Sequence, residues 1–199
     1  MMLVEETKIA TADLPVATFK AHLRLGSGFS DDMLQDPVLE GCLRSALAAI
    51  ESRTGKALME RRFSVTASAW SPGAEQCLPI APVTGLHALT TTDGNGSVTP
   101  HNISDFSLIR DAHRPKAVSV TGSWPAIAPH GSAKLSFIAG YSAQFQDLPA
   151  DLAQAVLMLA SHYYEARNVA GLSDSAMPFG ISVLIEPYKA LRITAGGGR

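Results

Sequence analysis

Apolar residues recur at steps of three and four early in the chain, at steps of two through its middle, and at three and four again near its end. Over residues 14–25, Val16, Phe19 and Leu23 share one face of a short predicted helix. Asp13 is placed to cap it, Pro15 suits its first turn, and Gly26 follows its end. A stronger helix is predicted over 36–53, where Leu39, Cys42, Leu43, Ala46, Leu47 and Ile50 form a broad apolar stripe. Asp36 is its natural N-cap, Pro37 fits the first position, and Gly55 can close it in the left-handed conformation.

From 60 to 141 the period shortens. Phe63, Val65, Ala67 and Ala69 alternate with Ser64, Thr66 and Ser68, as in a half-buried strand. Residues 83–92 and a short return strand near Val98 flank Asp93-Gly94-Asn95-Gly96, a hairpin signal built of residues that accept positive φ. Stretches 106–110, 117–121 and 133–140 supply further strands, kept short by prolines such as Pro72, Pro79, Pro115 and Pro129. Helical spacing returns at Pro149, with Asp147 as a cap candidate, and runs through Leu152, Val156, Leu159 and Tyr163 towards Ala170. At about 1.5 Å per residue that helix would be roughly 30 Å long, the structural spine. A loop over 172–180 then leads to a last helical stretch, 181–193, with Pro187 inside it or opening a new turn. The tail from Ala195 is glycine-rich and expected to be mobile.

The expected class is α+β: a helical core of about four helices carrying an inserted small, mainly antiparallel β module. The whole chain, 1–199, is expected to be one domain, with N-terminal helices over 14–58, the β module over 59–141, and C-terminal helices with a flexible tail over 142–199.

Composition narrows the role. A hydrophobic content of 46% supports a real core, while charged residues make up only 17%. Surfaces poor in Lys and Glu are often buried against neighbours, which favours an oligomer. The formal net charge is −2 and the basic residues are scattered, so the phosphate-neutralising block of a tight DNA binder is missing. Cys42 lies on the predicted apolar face, so a buried free thiol suits it better than a disulfide with Cys77. The first ten residues have no apolar core of signal-peptide length, and no stretch reaches the roughly 20 apolar residues that cross a bilayer. A soluble protein made in the cytoplasm, with no membrane partner, is the expectation.

Candidate chemistry is thin. His162 and Glu165 stand three apart on the spine helix, half of a carboxylate-bridged metal site whose second half is missing. Asp93, Asn95 and Ser97 imitate the start of a calcium loop, but Val98 occupies the glycine position and Ser104 that of the bidentate Glu. Gly26-x-Gly28 lacks the rest of a phosphate-binding pattern, and no nucleophile elbow occurs. His22, His87, His113 and His130 read as solvated or hydrogen-bonded surface residues. No enzyme, cofactor or metal is expected. A DNA-binding regulator would need a basic recognition helix, and residues 36–53 offer only Arg44 and Arg53.

Three blocks carry a resemblance. The first runs from Leu14-Pro15 to Lys20-Ala21-His22-Leu23-Arg24, followed by Asp31 and Asp32. The second is AAIESRTGKAL from Ala48 to Leu58. The third joins Phe137-Ile138-Ala139-Gly140-Tyr141 to Leu148-Pro149 and then to Ser161-His162-Tyr163-Tyr164-Glu165-Ala166-Arg167. Leu184-Ile185-Glu186-Pro187-Tyr188 adds a weaker fourth. In this order and spacing they resemble the head–tail connector (adaptor) proteins of tailed phages and of phage-like gene transfer agents. The resemblance implies a structural ring of about twelve copies beneath the portal, extending the DNA channel and linking capsid to tail. It implies as partners the chain itself, the portal protein, a stopper or tail-terminator protein, and double-stranded DNA passing without specific binding. The site would be the neck of the particle, reached from the cytoplasm during assembly. In the family the C-terminal segment tends to embrace the portal, which maps onto Tyr188, Leu191, Arg192 and Ile193. Packing of those residues against the protomer's own helices is the equal alternative. A stopper or tail-completion protein of the same neck is the rival reading, although such proteins tend to be mainly β.

Overall fold

The computed structural model describes residues 1–25, 35–167 and 177–189. Four helices are seen there, α1 (Val16–His22), α2 (Asp36–Thr54), α3 (Ala150–Ala166) and α4 (Phe179–Ile185). The loop expected at 26–28, most of the loop at 172–180, and the tail with Leu191, Arg192 and Ile193 lie outside the described residues.

α2 and α3 pack together along the apolar stripes read from the sequence, and α1 and α4 lie against them. Leu39, Leu43, Leu47 and Ile50 of α2 meet Leu152, Val156 and Leu159 of α3, with Phe19, Ile181 and Ile185 closing the ends of this core. α2 ends as expected: Gly55 has φ 68° and its N–H donates to the Glu51 carbonyl at 2.8 Å. The N-terminal caps differ from expectation. Gln35 occupies the cap of α2, while Asp36 lies within the helix and its carboxylate pairs with Lys20 at 2.5 Å. Asp13 belongs to a 3-10 turn, Thr11–Asp13, and Asp147 to another, Phe145–Asp147; α1 and α3 are entered directly through Pro15 and Pro149. Proline is tolerated at a helix start because its missing N–H would have no partner within the helix, and neither helix has a side-chain cap bond.

The last helix also differs. It begins two residues earlier than expected and stops at Ile185, and Pro187 sits in a separate 3-10 turn, Glu186–Tyr188. A proline lacks the N–H that would bond back one turn, so the α-helical ladder ends before it.

Among the described residues eight strands form two sheets: β1 (Met2–Glu5), β2 (Arg61–Ala67), β3 (Glu75–Cys77), β4 (Val83–Thr92), β5 (Val98–His101), β6 (Phe106–Ile109), β7 (Lys116–Ser119) and β8 (Ser132–Ala139). The first sheet is antiparallel with order β1-β2-β8-β4-β5, and the second, also antiparallel, has order β3-β7-β6. Register puts Phe63 opposite Phe137 and both Val65 and Leu89 opposite Leu135. These side chains meet Leu78, Phe106 and Ala117 in a second core, separate from the helical one. The opposite face of the large sheet is polar, with Glu6 paired to Lys134 at 2.7 Å. That hydrogen bond holds the Glu6 carboxyl below its ordinary pKa. Trp124 stacks between Trp70 and Phe106, at 4.5 and 4.7 Å, and closes the far end of the module.

Two strands went unread in the sequence. β3 has only three residues, and β1 comes from outside the alternating region to pair with β2, Leu3 opposite Val65.

Candidate functional site

The helical core and the β module are fixed to each other at a junction built from the AAIESRTGKAL block. Glu51, in the last turns of α2, takes a bidentate pair of bonds from Arg61 of β2, at 2.9 and 2.6 Å, and a third from the Leu58 N–H at 2.8 Å. Arg61 Nε reaches Glu5 of β1 at 2.9 Å, so one guanidinium ties helix, edge strand and the strand next to it. Burial opposes the guanidinium's charge, but Glu51 and Glu5 outweigh it and raise its pKa. Main-chain bonds complete the joint, with Tyr141 N–H donating to Leu58 O at 2.9 Å and Glu60 N–H to Ser142 O at 2.7 Å. The chain crosses there so closely that a Cβ on Gly140, whose φ is 146°, would lie 2.3 Å from Glu60 Cα. Lys56 is 1% exposed at the same joint. Its Nζ donates to the Ala112 carbonyl and lies 3.0 Å from His113 Nδ1, and burial lowers its pKa.

Of the residues expected to touch other subunits, Tyr188 is described. Its hydroxyl donates to Asp151 Oδ1 at 2.7 Å and its ring stands edge-on to Tyr141, with centroids 5.7 Å apart. Burial, reinforced by Asp151, pushes the phenol well above its ordinary pKa. Tyr188 therefore pins the C-terminal turn to the first turn of α3 in its own protomer. The residue is half-buried. Leu191, Arg192 and Ile193 follow beyond the described residues.

Two exposed apolar features were not singled out from the sequence. β1 presents Met2, Leu3 and Val4 at the edge of the large sheet. On α4, Ile181 and Ile185 are buried, whereas Phe179 is 83% and Val183 54% exposed. A helix apolar on both faces signals a second burial partner, and that signal was present in the 179–185 sequence. On the molecule's surface a cavity of about 610 Å³ opens between the turn before α1 and the start of α3, lined by Leu14, Pro15, Phe145 and Leu157 among others.

Asp93 Oδ1 accepts from the N–H groups of Asn95 and Ser97 at 2.9 and 2.8 Å, as a hairpin turn requires. His162 packs beside Tyr163, and Glu165 is exposed. His22, His87, His113 and His130 are all exposed. Among the described residues no cluster of three His, Cys, Asp or Glu side chains could hold a metal ion. Arg44, half of the basic pair a DNA-reading helix would have used, donates to the Ile9 carbonyl at 2.9 Å and to Thr11 at 3.1 Å. Cys42 is half-buried and Cys77 exposed, both unpaired. No described helix is long and apolar enough to cross a membrane.

No protein-family model and no curated protein matches the chain. Solved structures do. A chain from the neck of an empty gene transfer agent (GTA) particle, computed with C6 symmetry, is 43% identical, with a TM-score of 0.87 over 98% of this chain and 99% of that one. A chain from the virion of a native gene transfer agent particle is also 43% identical, with a TM-score of 0.84 over the same shares. A third, from the neck of a native GTA particle computed with C12 symmetry, is 40% identical, with a TM-score of 0.83 over 98% of this chain and 99% of that one. Identity of that order along essentially the whole of both chains, with helical core and β module superposed together, means that this chain belongs to the head–tail connector family of tailed phages and gene transfer agents.

Proposed function

We propose that the chain is a structural head–tail adaptor: about twelve copies close into a ring beneath the portal, prolong the DNA channel, and hand the capsid on to the first tail component. The observation that carries this reading is the 43% identity, over 98% of the chain, to a subunit of a GTA particle neck. The C12 symmetry with which one such neck was computed supports the copy number, and the C6 symmetry of another is compatible with it. The partners are then further copies of the chain, the portal protein above, and a stopper or tail-terminator protein below. The subunit is made in the bacterial cytoplasm and ends in the neck of the particle.

The physical features fit a scaffold without catalysis or cofactor. Two separate cores are joined by a buried ion pair and main-chain bonds, which tie the helical part to the β module. Weak net acidity and scattered basic residues let DNA pass without being held. Tyr188, fixed to Asp151, and Leu191, Arg192 and Ile193, which follow it in the sequence, are the residues assigned to contact with the portal. Deleting the coding region tests the role. DNA-filled heads and free tails should accumulate unjoined, and supplying the chain should restore joined particles. Normally tailed particles in its absence would refute the adaptor role.

A further inference from the structure

We infer that Phe179 and Val183 of α4 form a knob that seats in the α1–α3 cavity of the neighbouring copy, making the contact that repeats around the ring. The inference rests on the adaptor reading and specifies the interface that reading leaves open.

The argument starts on α3. α4 lies along the flank marked by Met158, whose methyl is 3.8 Å from the Cβ position of Gly180, and by Asp151, which holds Tyr188. Those two positions are seven apart and, at about 100° per residue, nearly eclipsed on the helix. The cavity is lined by Ala153 and Leu157 of the same helix, which fall roughly 200–240° away from Asp151. Knob and cavity therefore sit on opposite flanks of one helix, with the buried face of α3 turned to the core between them. Phe179 cannot fill its own protomer's cavity.

A head-to-tail ring needs this arrangement: two different surfaces on each subunit, one the complement of the other. A contact with a protein of other sequence would use the knob or the cavity and leave its counterpart open, whereas a second copy fills both around a closed ring. Shape agrees. Phe179 stands 83% exposed with Val183 one turn on, and the cavity of about 610 Å³ has room for both side chains. Its walls combine the apolar Leu14, Pro15, Phe145 and Leu157 with the polar Asp13, Gln144 and Gln146, the mixed character of a subunit contact. An exposed aromatic beside a preformed hollow has the character of an anchor residue.

Cysteine pairs in assembled particles test the contact. In a Cys77→Ser background, Phe179→Cys combined with Ala150→Cys at the cavity mouth should give, on mild oxidation, a ladder of dimers and higher multimers on non-reducing gels. Phe179→Cys combined with Val120→Cys on the β module should stay monomeric. Phe179→Ala should lower the amount of subunit retained in the neck by about tenfold or more. Because Phe179 is exposed in the protomer, loss of the Phe179 variants from particles, with the soluble protomer still folded by circular dichroism, also supports the contact. Incorporated subunits that give no ladder, or a cross-link confined to one chain, overturn it while leaving the adaptor role standing. Absence of the unmodified subunit from the neck overturns both.

Discussion

At the residue scale the joint between helices and sheets governs stability. The side chains of Arg61 and Glu51 are only 7% and 12% exposed, so removing one leaves the other's charge buried without its partner. Arg61→Met should destabilise the protein by about 3–5 kcal/mol in chemical denaturation, and the double change with Glu51→Leu should recover much of that loss. Gly140→Ala should cost roughly 3–4 kcal/mol, because backbone at 2.3 Å cannot yield and an L-residue is strained at that φ. Tyr188 gives a pH signature. Its phenol ionises later in the folded chain than the value of about 10 expected when unfolded, so unfolding releases a proton above that pH. The tyrosine's contribution is therefore whole below pH about 10 and is lost as pH rises beyond it. Tyr188→Phe should cost about 1–1.5 kcal/mol at neutral pH and should flatten the fall in melting temperature between pH 9 and about 11.

At the scale of elements, legibility followed the length and regularity of each pattern. α2 was read nearly to its ends because six apolar residues recur on one face and Gly55 punctuates its close. β4 and its hairpin were read because Asp93-Gly94-Asn95-Gly96 has few other uses. β1 was missed for a physical reason: a four-residue edge strand takes its order from β2, opposite it, and not from its own alternation. The capping roles of Asp13, Asp36 and Asp147 were misread because a carboxylate near a helix start can serve another turn or, as with Asp36, an ion pair with Lys20. On α4 the buried Ile181 and Ile185 were in view, but the second apolar pair, Phe179 and Val183, has meaning only beside a surface outside the protomer. Of the candidate contact residues Tyr188, Leu191, Arg192 and Ile193, only Tyr188 lies among those described, held by Asp151. An isolated sequence shows which residues are apolar, but not which subunit covers them.

At the scale of the whole molecule the features converge on assembly. Low charge, an exposed edge strand and a helix apolar on two faces describe a protomer whose surface is unfinished until neighbours arrive. Individually modest contacts become strong when a ring closes. The isolated chain should therefore sediment as a monomer and form a closed ring only when portal is added; a stable twelvefold ring without portal would show that no template is needed. The central claim, that this subunit joins head to tail, is tested most directly by imaging purified particles in which the chain carries a compact C-terminal label. The account predicts a ring of label density at the neck, directly below the portal and above the first tail ring. Label found only along the tail tube, on the capsid shell, or nowhere in the particle would contradict it.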